Sequence, residues 1–256
     1  MRTARDYTRS ALKGATRPLG WVDRERKGEL DFWLDHALPP SSIYQITFRA
    51  ADGCNLRCKT CHFSMDYRKG QKTLLMDPEL VREVVDQSRG WVSLMGFSAS
   101  GEPLINPQID KMIGYVSAAG IKSKIGTNAM LLTPDLSRRL LEAGLSILKV
   151  SIDGATAETF ETVRVGASFE KLCDNLEAFW RLRNETGAKT KIVVNTVITK
   201  DNEHEIEDIK KNFGHIADKF AAKYPSTFGI MSSLCDYSPS AMTQKRCNQL
   251  VKRMTI

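Results

Sequence analysis

The chain has 256 residues, of which 42% are hydrophobic and 26% charged, a balance that excludes a disordered chain and leaves enough apolar surface for a sizeable core. No apolar run approaches the roughly 20 residues of a membrane-spanning helix, and residues 1–6 lack the apolar stretch of a secretory signal, so no membrane partner and a cytoplasmic location are expected. The formal net charge is +7, but Lys and Arg are spread along the chain without interleaved aromatics, which predicts a basic solvated surface and not a nucleic-acid interface.

Residues 1–42 read as a basic, irregular lead-in with one short apolar patch at 30–38, closed by the Pro39-Pro40-Ser-Ser break. Strand-like and helix-periodic segments then alternate. Residues 44–48 predict a first strand, and a cysteine-bearing loop follows it. Asp77 and Pro78 open a helix to about residue 88, the aspartate as N-cap and the proline at the first helical position. Residues 91–98 predict a second strand, 107–119 a helix stopped by Gly120, 122–126 a third strand, and 134–143 a helix with Gly144 beyond its end. Next come a fourth strand at 147–152, one or two helices over 157–183, a β-branched fifth strand at 191–198, a helix over 203–222 and a sixth strand at 227–232. Strands recurring between helix-length segments indicate βα units on a parallel sheet with right-handed crossovers. Six units fit and eight do not. The expected α/β architecture is therefore a partial (β/α)6 barrel over residues 43–232, with a doubly wound open sheet as the alternative and 233–256 as a tail.

In parallel α/β folds ligands gather at the carboxyl ends of the strands. Each polar motif here falls after a predicted strand, so all should meet on one rim: the cysteines after the first, Ser100-Gly101-Glu102-Pro103 after the second, Gly126-Thr127-Asn128 after the third, and Ser151-Ile152-Asp153-Gly154 at the end of the fourth. Three of the six cysteines crowd into Cys54-x3-Cys58-x2-Cys61, a pattern that points to metal or redox chemistry and not to disulfides. Thiolates are soft ligands for iron–sulfur clusters and zinc. Three of them hold three irons of a [4Fe–4S] cube and leave the fourth iron open. The alternative is a structural zinc site, which needs four closed ligands; His62 adjoins Cys61 too closely to cap the same ion, and no second ligand pair follows. Cys173 falls on a helical apolar face and reads as core, while Cys235 and Cys247 stand apart. His36, His204 and His215 have no partner pattern and receive no role.

The cysteine loop, Ala99-Ser-Gly-Glu-Pro-Leu-Ile-Asn-Pro, Gly126-Thr-Asn-Ala, Lys149-Val-Ser-Ile-Asp-Gly and Glu161-Thr-Val-Arg164, in that order, resemble the motifs of the radical S-adenosylmethionine superfamily over about residues 43–232. Two positions depart from its pattern: Thr60 stands where an aromatic residue is common, and Ser100 replaces the first glycine of Gly-Gly-Glu-Pro. The resemblance implies a [4Fe–4S] cluster on Cys54, Cys58 and Cys61, with S-adenosylmethionine chelating the open iron. It implies that Gly101 and Pro103 shape a turn against the methionine amino group, while Glu102 accepts from that ammonium or holds the turn. Ser151 and Arg164 are then candidates for ribose and carboxylate, Asn128 for ribose or for capping a turn, and Asp153-Gly154 for shaping a turn. It further implies one-electron reduction by a donor such as flavodoxin or ferredoxin, cleavage of the C5′–S bond, and a 5′-deoxyadenosyl radical that takes hydrogen from a peptide, small metabolite or sugar. The branch resembled is the one that carries a C-terminal SPASM extension for auxiliary clusters. The segment from Cys247 is similar to the opening of such an extension, expected here to be truncated or missing. Two other readings stay open at this point: a zinc-stabilised, non-catalytic binding or scaffold protein, and a barrel that binds cofactor without turnover.

Overall fold

A computed structural model describes residues 43–61, 72–98 and 100–224; the lead-in, His62, the expected strand at 227–232 and the tail lie outside the described residues. Alternating apolar positions build six strands: β1 (Ile43–Phe48), β2 (Val92–Phe97), β3 (Lys122–Thr127), β4 (Ile147–Ser151), β5 (Lys191–Val197) and β6 (Lys219–Lys223). All neighbours pair in parallel in the order β1-β2-β3-β4-β5-β6. Between them run α1 (Pro78–Ser88), a 3₁₀ turn (Pro103–Ile105), α2 (Ile109–Ala118), α3 (Pro134–Glu142), α4 (Ala157–Val163), α5 (Phe169–Thr186) and α6 (Ile206–Phe213). Asp77, Thr133, Thr156 and Ser168 cap α1, α3, α4 and α5 by accepting from the backbone of the first turn, each cap contributing about 1 kcal/mol.

Phe48, Phe97, Ile125, Leu148 and Ile192 lie in one row across five strands, successive residues paired by register. All are buried, in one cluster with Ile109, Met112 and Ile113 of α2, Leu140 of α3, and Leu172 and Leu176 of α5. Each such side chain contributes about 1.5–3 kcal/mol of burial. The helices therefore cover one face of the sheet. The alternate residues, among them Gly96, Lys124, Gly126 and Lys149, look the other way. Strand order without reversal and helices on a single face describe a singly wound partial barrel, not the doubly wound alternative.

Of two stretches, the first takes the two-helix form of an expected one or two helices, and the second differs from the expectation. The segment 157–183 breaks into α4 and α5 where Gly166 adopts φ +91°, a turn open to glycine. The segment 203–222 is not one helix: α6 stops at Phe213, and residues 219–223 form the sixth strand. Asp218 causes the switch, donating its N–H to Ile192 O (2.9 Å) and accepting the Ile192 N–H on Oδ2 (2.7 Å), which lays the following residues along β5. Lys-Phe-Ala-Ala-Lys has helical propensity, and sheet pairing overrides it. Among the described residues no helix is long and apolar enough to cross a membrane.

Candidate functional site

The loop after β1 is fixed at both ends before its cysteines are reached. Asp52 Oδ1 accepts from Leu74 N (2.6 Å), and Asn106 Nδ2 donates to the carbonyls of Ala50 and Met76, both at 2.9 Å. Within the loop Leu56 is buried in the core, and its N–H points at Cys54 Sγ (3.5 Å). Arg57 N donates to Val165 O (2.9 Å) and Lys59 N to Val163 O (3.0 Å), so the loop is stitched to the end of α4. Between those two bonds Cys58 meets Arg164, whose Nη1 lies 3.9 Å from its Sγ. Cys54, Cys58 and Cys61 are all free and half-buried.

Gly101 closes the loop's other side. Its φ is +74°, and a side chain there would place Cβ 2.5 Å from Gly53 O and 2.7 Å from Ala51 O, so glycine is needed for both angle and space. The next N–H, of Glu102, donates to Gly53 O (2.8 Å). The Glu102 carboxylate is 2% exposed and accepts from Leu104 N (3.1 Å), the Thr127 hydroxyl (2.7 Å) and Asn128 N (2.8 Å). With three of about four acceptor positions used by the chain, Glu102 holds the turn. Burial still raises its pKa above the usual carboxylate value, against the pull of those hydrogen bonds. Pro103 opens the 3₁₀ turn that Glu102 caps. Asn128 caps a turn as well: its Oδ1 accepts from Met130 N (2.9 Å), and its Nδ2 donates to Asn55 Oδ1 (2.9 Å) in the cysteine loop.

Arg164 is 9% exposed and donates from Nη2 to Asp153 Oδ2 at 2.6 Å. Burial works against its charge, but the Asp153 carboxylate and the Cys58 sulfur outweigh that and keep the guanidinium protonated. Asp153 is itself held: Val197 N donates to its Oδ1 (2.7 Å) and Asn202 Nδ2 to its carbonyl (3.0 Å). Gly154 beside it has no room for a side chain against the Phe160 backbone. Ser151 ends β4, half-buried, and its hydroxyl has no partner among the described residues.

The rim expected from the sequence is thus assembled: the cysteine loop, Gly101, Glu102, Pro103, Asn128 and Arg164 are joined by contacts, and Ser151 ends the adjacent strand. Asp153 exceeds its expected part as a turn former, because it is the counter-ion that aims Arg164. Asn55 and Thr127 are partners the sequence did not single out. Nothing local marks them; only the tertiary contacts do. Cys173 packs against the core as expected.

The residues present suit an iron–sulfur cluster with a polar cofactor beside it. The donor set is three thiols from one loop, and each of Cys54 and Cys58 is influenced by the charge of Cys61. Burial pushes the Cys58 thiol up to about 11, opposed by Arg164 and reinforced by Cys61 and Cys54; burial raises Cys54 too. Metal binding to these thiols therefore displaces protons. The Ser100 hydroxyl and Arg164 Nε are buried without partners among the described residues, two polar atoms on the flanks of the loop that suit a polar ligand. Among the described residues no three His, Cys, Asp or Glu side chains, the three thiols included, close around a single metal-ion position.

A six-stranded parallel sheet with helices on one face and a three-thiol loop at its carboxyl rim defines the class: an α/β partial barrel with a candidate metal-binding loop. Residues 49–212 match the Radical SAM superfamily, and the chain belongs to it. Members of this superfamily use a [4Fe–4S] cluster and S-adenosylmethionine. The chain is 30% identical to the AdoMet-dependent heme synthase of Methanosarcina barkeri over 75% of its own length and 52% of that protein. It is 28% identical to the mycofactocin maturase MftC of Mycobacterium ulcerans over 69% of its length and 45% of that protein. Streptococcus suis SuiB bound to S-adenosylmethionine superposes with a TM-score of 0.64 at 17% identity, covering 96% of this chain and 57% of that one; this likeness is one of fold. The chain spans about half the length of the curated relatives it matches.

Proposed function

We propose that this chain is a radical S-adenosylmethionine enzyme whose [4Fe–4S] cluster sits on Cys54, Cys58 and Cys61 and whose substrate is a peptide or small metabolite held inside the barrel. The observation that carries this reading is the three-cysteine loop, stitched to Val163 and Val165 on one side and to Gly101–Glu102 on the other. Cys54, Cys58 and Cys61 would hold the cluster, which would supply one-electron reduction of the cofactor sulfonium and, through it, the power to take hydrogen from the substrate. The chain's residues hold and orient. Gly101 lets backbone approach backbone beside the cysteines, Glu102 fixes that turn, and Pro103 continues it. Arg164, kept charged by Asp153, has Nη1 beside Cys58 and a buried Nε without a partner among the described residues, and it suits the cofactor carboxylate. Ser151 suits a ribose hydroxyl, and Asn128 acts by fixing Asn55 and the turn at Met130.

A donor of the flavodoxin or ferredoxin kind supplies the electron, and the cytoplasm, which keeps thiols reduced, is the compartment in which this site works. Residues 43–232 form the catalytic core on this reading, with 1–42 as a lead-in and 233–256 as a tail. The substrate class follows the maturase and synthase character of the relatives' names.

The test is anaerobic reconstitution with iron and sulfide, then dithionite and S-adenosylmethionine. The expected result is about four irons and four sulfides per chain and release of 5′-deoxyadenosine. Cys54→Ala abolishes both. Retained release in Cys54→Ala, or one zinc per chain in the anaerobic protein, overturns the proposal.

A further inference from the structure

The face of the sheet turned away from the helices carries an unusual charge pattern. Lys124 on β3 and Lys149 on β4 point to the same side, because Lys124 registers with Ile147 and Gly126 with Lys149. Lys223 joins them at the end of β6: Lys149 registers with Val193, and Val197, four residues on along β5, registers with Lys223. Lys124 and Lys149 are half-buried and Lys223, at the rim end of β6, is exposed; Lys122, Lys191 and Lys219, nearer the strand starts, are exposed too.

A half-buried ammonium is ordinarily matched by a carboxylate. Neither inner lysine has one among the described residues. Lys124 Nζ donates to the neutral Gln45 Oε1 (3.0 Å), leaning across Gly96, where a Cβ would lie 3.6 Å from its Cε and 3.0 Å from Gln45 Nε2. The Lys149 ammonium has no hydrogen bond among the described residues. Burial lowers the pKa of both, and the charges that act on Lys149 are those of Lys223 and Lys124, which lower it further. The position matters: Lys149 stands two residues before Ser151, just inside the rim that holds the cysteine loop.

We propose that Lys124, Lys149 and Lys223 bind the anionic end of a small-molecule substrate bearing two or more carboxylate or phosphate groups, with the rest of that molecule directed toward the cysteine rim. This rests on the reading of the barrel interior as the substrate site and names the class of substrate it takes. Several cations acting on one small anion bind it far better than any one alone, and partial burial strengthens the attraction of Lys124 and Lys149.

The experiment is calorimetric titration of the full chain, with its cluster reconstituted, against pyrophosphate and, separately, against propane-1,2,3-tricarboxylate. Binding of one or both is expected, and the stronger of the two tells phosphate from carboxylate. Lys149→Met weakens the binding by about 10-fold or more and Lys124→Met by several-fold, while Lys149→Arg retains most of it. Lys171→Met, an exposed lysine on α5, leaves it unchanged. Failure of both anions to bind overturns the proposal, and so does an equal loss in Lys171→Met and Lys149→Met, which would mark a general basic surface. A melting curve for each variant separates misfolding from lost affinity. Release of 5′-deoxyadenosine without anion binding sinks this site alone; anion binding without release sinks the reaction and spares the site.

Discussion

Glu102 and Glu205 are both buried carboxylates that accept three hydrogen bonds each, yet their pKa values move in opposite directions. Glu102 takes its donors from Leu104, Thr127 and Asn128 at the rim between β2 and β3. Glu205 takes its own from Ala155 N (2.6 Å) and the hydroxyls of Thr156 (2.9 Å) and Thr159 (2.7 Å), at the start of α4. Since the donor numbers match, depth decides. At Glu102 desolvation outweighs the hydrogen bonds and the value rises. At Glu205 burial also pushes upward, but the donors from Thr159, Ala155 and Thr156 outweigh it and the value falls. The N-terminus of α4 adds partial positive charge there. The two carboxylates brace opposite sides of the candidate site: one holds the Gly101 turn against the cysteine loop, the other holds the helix whose end carries Arg164.

The comparison can be broken most directly by truncation. Glu102→Ala leaves three deep donors without an acceptor and is expected to cost about 3–5 kcal/mol in urea unfolding of the metal-free chain. Glu205→Ala is expected to cost less, about 1–3 kcal/mol, because its donors lie nearer water. Equal losses would mean that depth does not separate the two sites.

The pH dependence sharpens the same contrast. Glu102, with a raised folded value, holds its proton more tightly folded than unfolded, so it withdraws stability as pH climbs above its unfolded value of about 4.3. Glu205, with a lowered value, contributes stability that is present above about pH 4.3 and lost as pH falls below it. Urea midpoints across pH should show Glu205→Gln flattening the acid limb and Glu102→Gln flattening the limb above it. The reverse assignment would invert the account.

The smallest effect is read at a thiol. In the metal-free chain Cys58, at about 11, carries on the order of 100-fold less thiolate at neutral pH than an ordinary cysteine, so iodoacetamide labels it slowly and faster as pH rises. Arg164 opposes that upward shift, so Arg164→Gln should slow the labelling by a further few-fold. Faster labelling at neutral pH in this variant would show that α4 shields Cys58 sterically and not through charge.

Much of this arrangement is legible in the sequence because local chemistry sets it. Pro78 and Pro134 after Asp77 and Thr133 announce helix starts, and the β-branched run in β5 announces a strand. The cysteine spacing and the order of the rim motifs carry the chemistry without any fold. What escapes is set at a distance. Strand β6 depends on Asp218 finding Ile192, 26 residues earlier, and nothing in Lys-Phe-Ala-Ala-Lys opposes a helix. The Asp153–Arg164 pair spans a strand end and a helix end, so no spacing rule exposes it, and Asp153-Gly154 reads locally as a turn. The inner lysines look like ordinary surface charge until the register shows which side of the sheet they share.

The strand order has a consequence for how the protein is made. Each strand pairs with the one just synthesised, so the sheet can grow outward from the ribosome one unit at a time. The thiol loop is the exception: its bonds from Arg57 and Lys59 go to Val165 and Val163, over a hundred residues downstream. At translation speeds of about 5–20 residues per second it stays unclasped for roughly 5–20 s. During that interval the cysteines are open to oxidation, and cluster delivery to a finished cradle has to follow synthesis of α4.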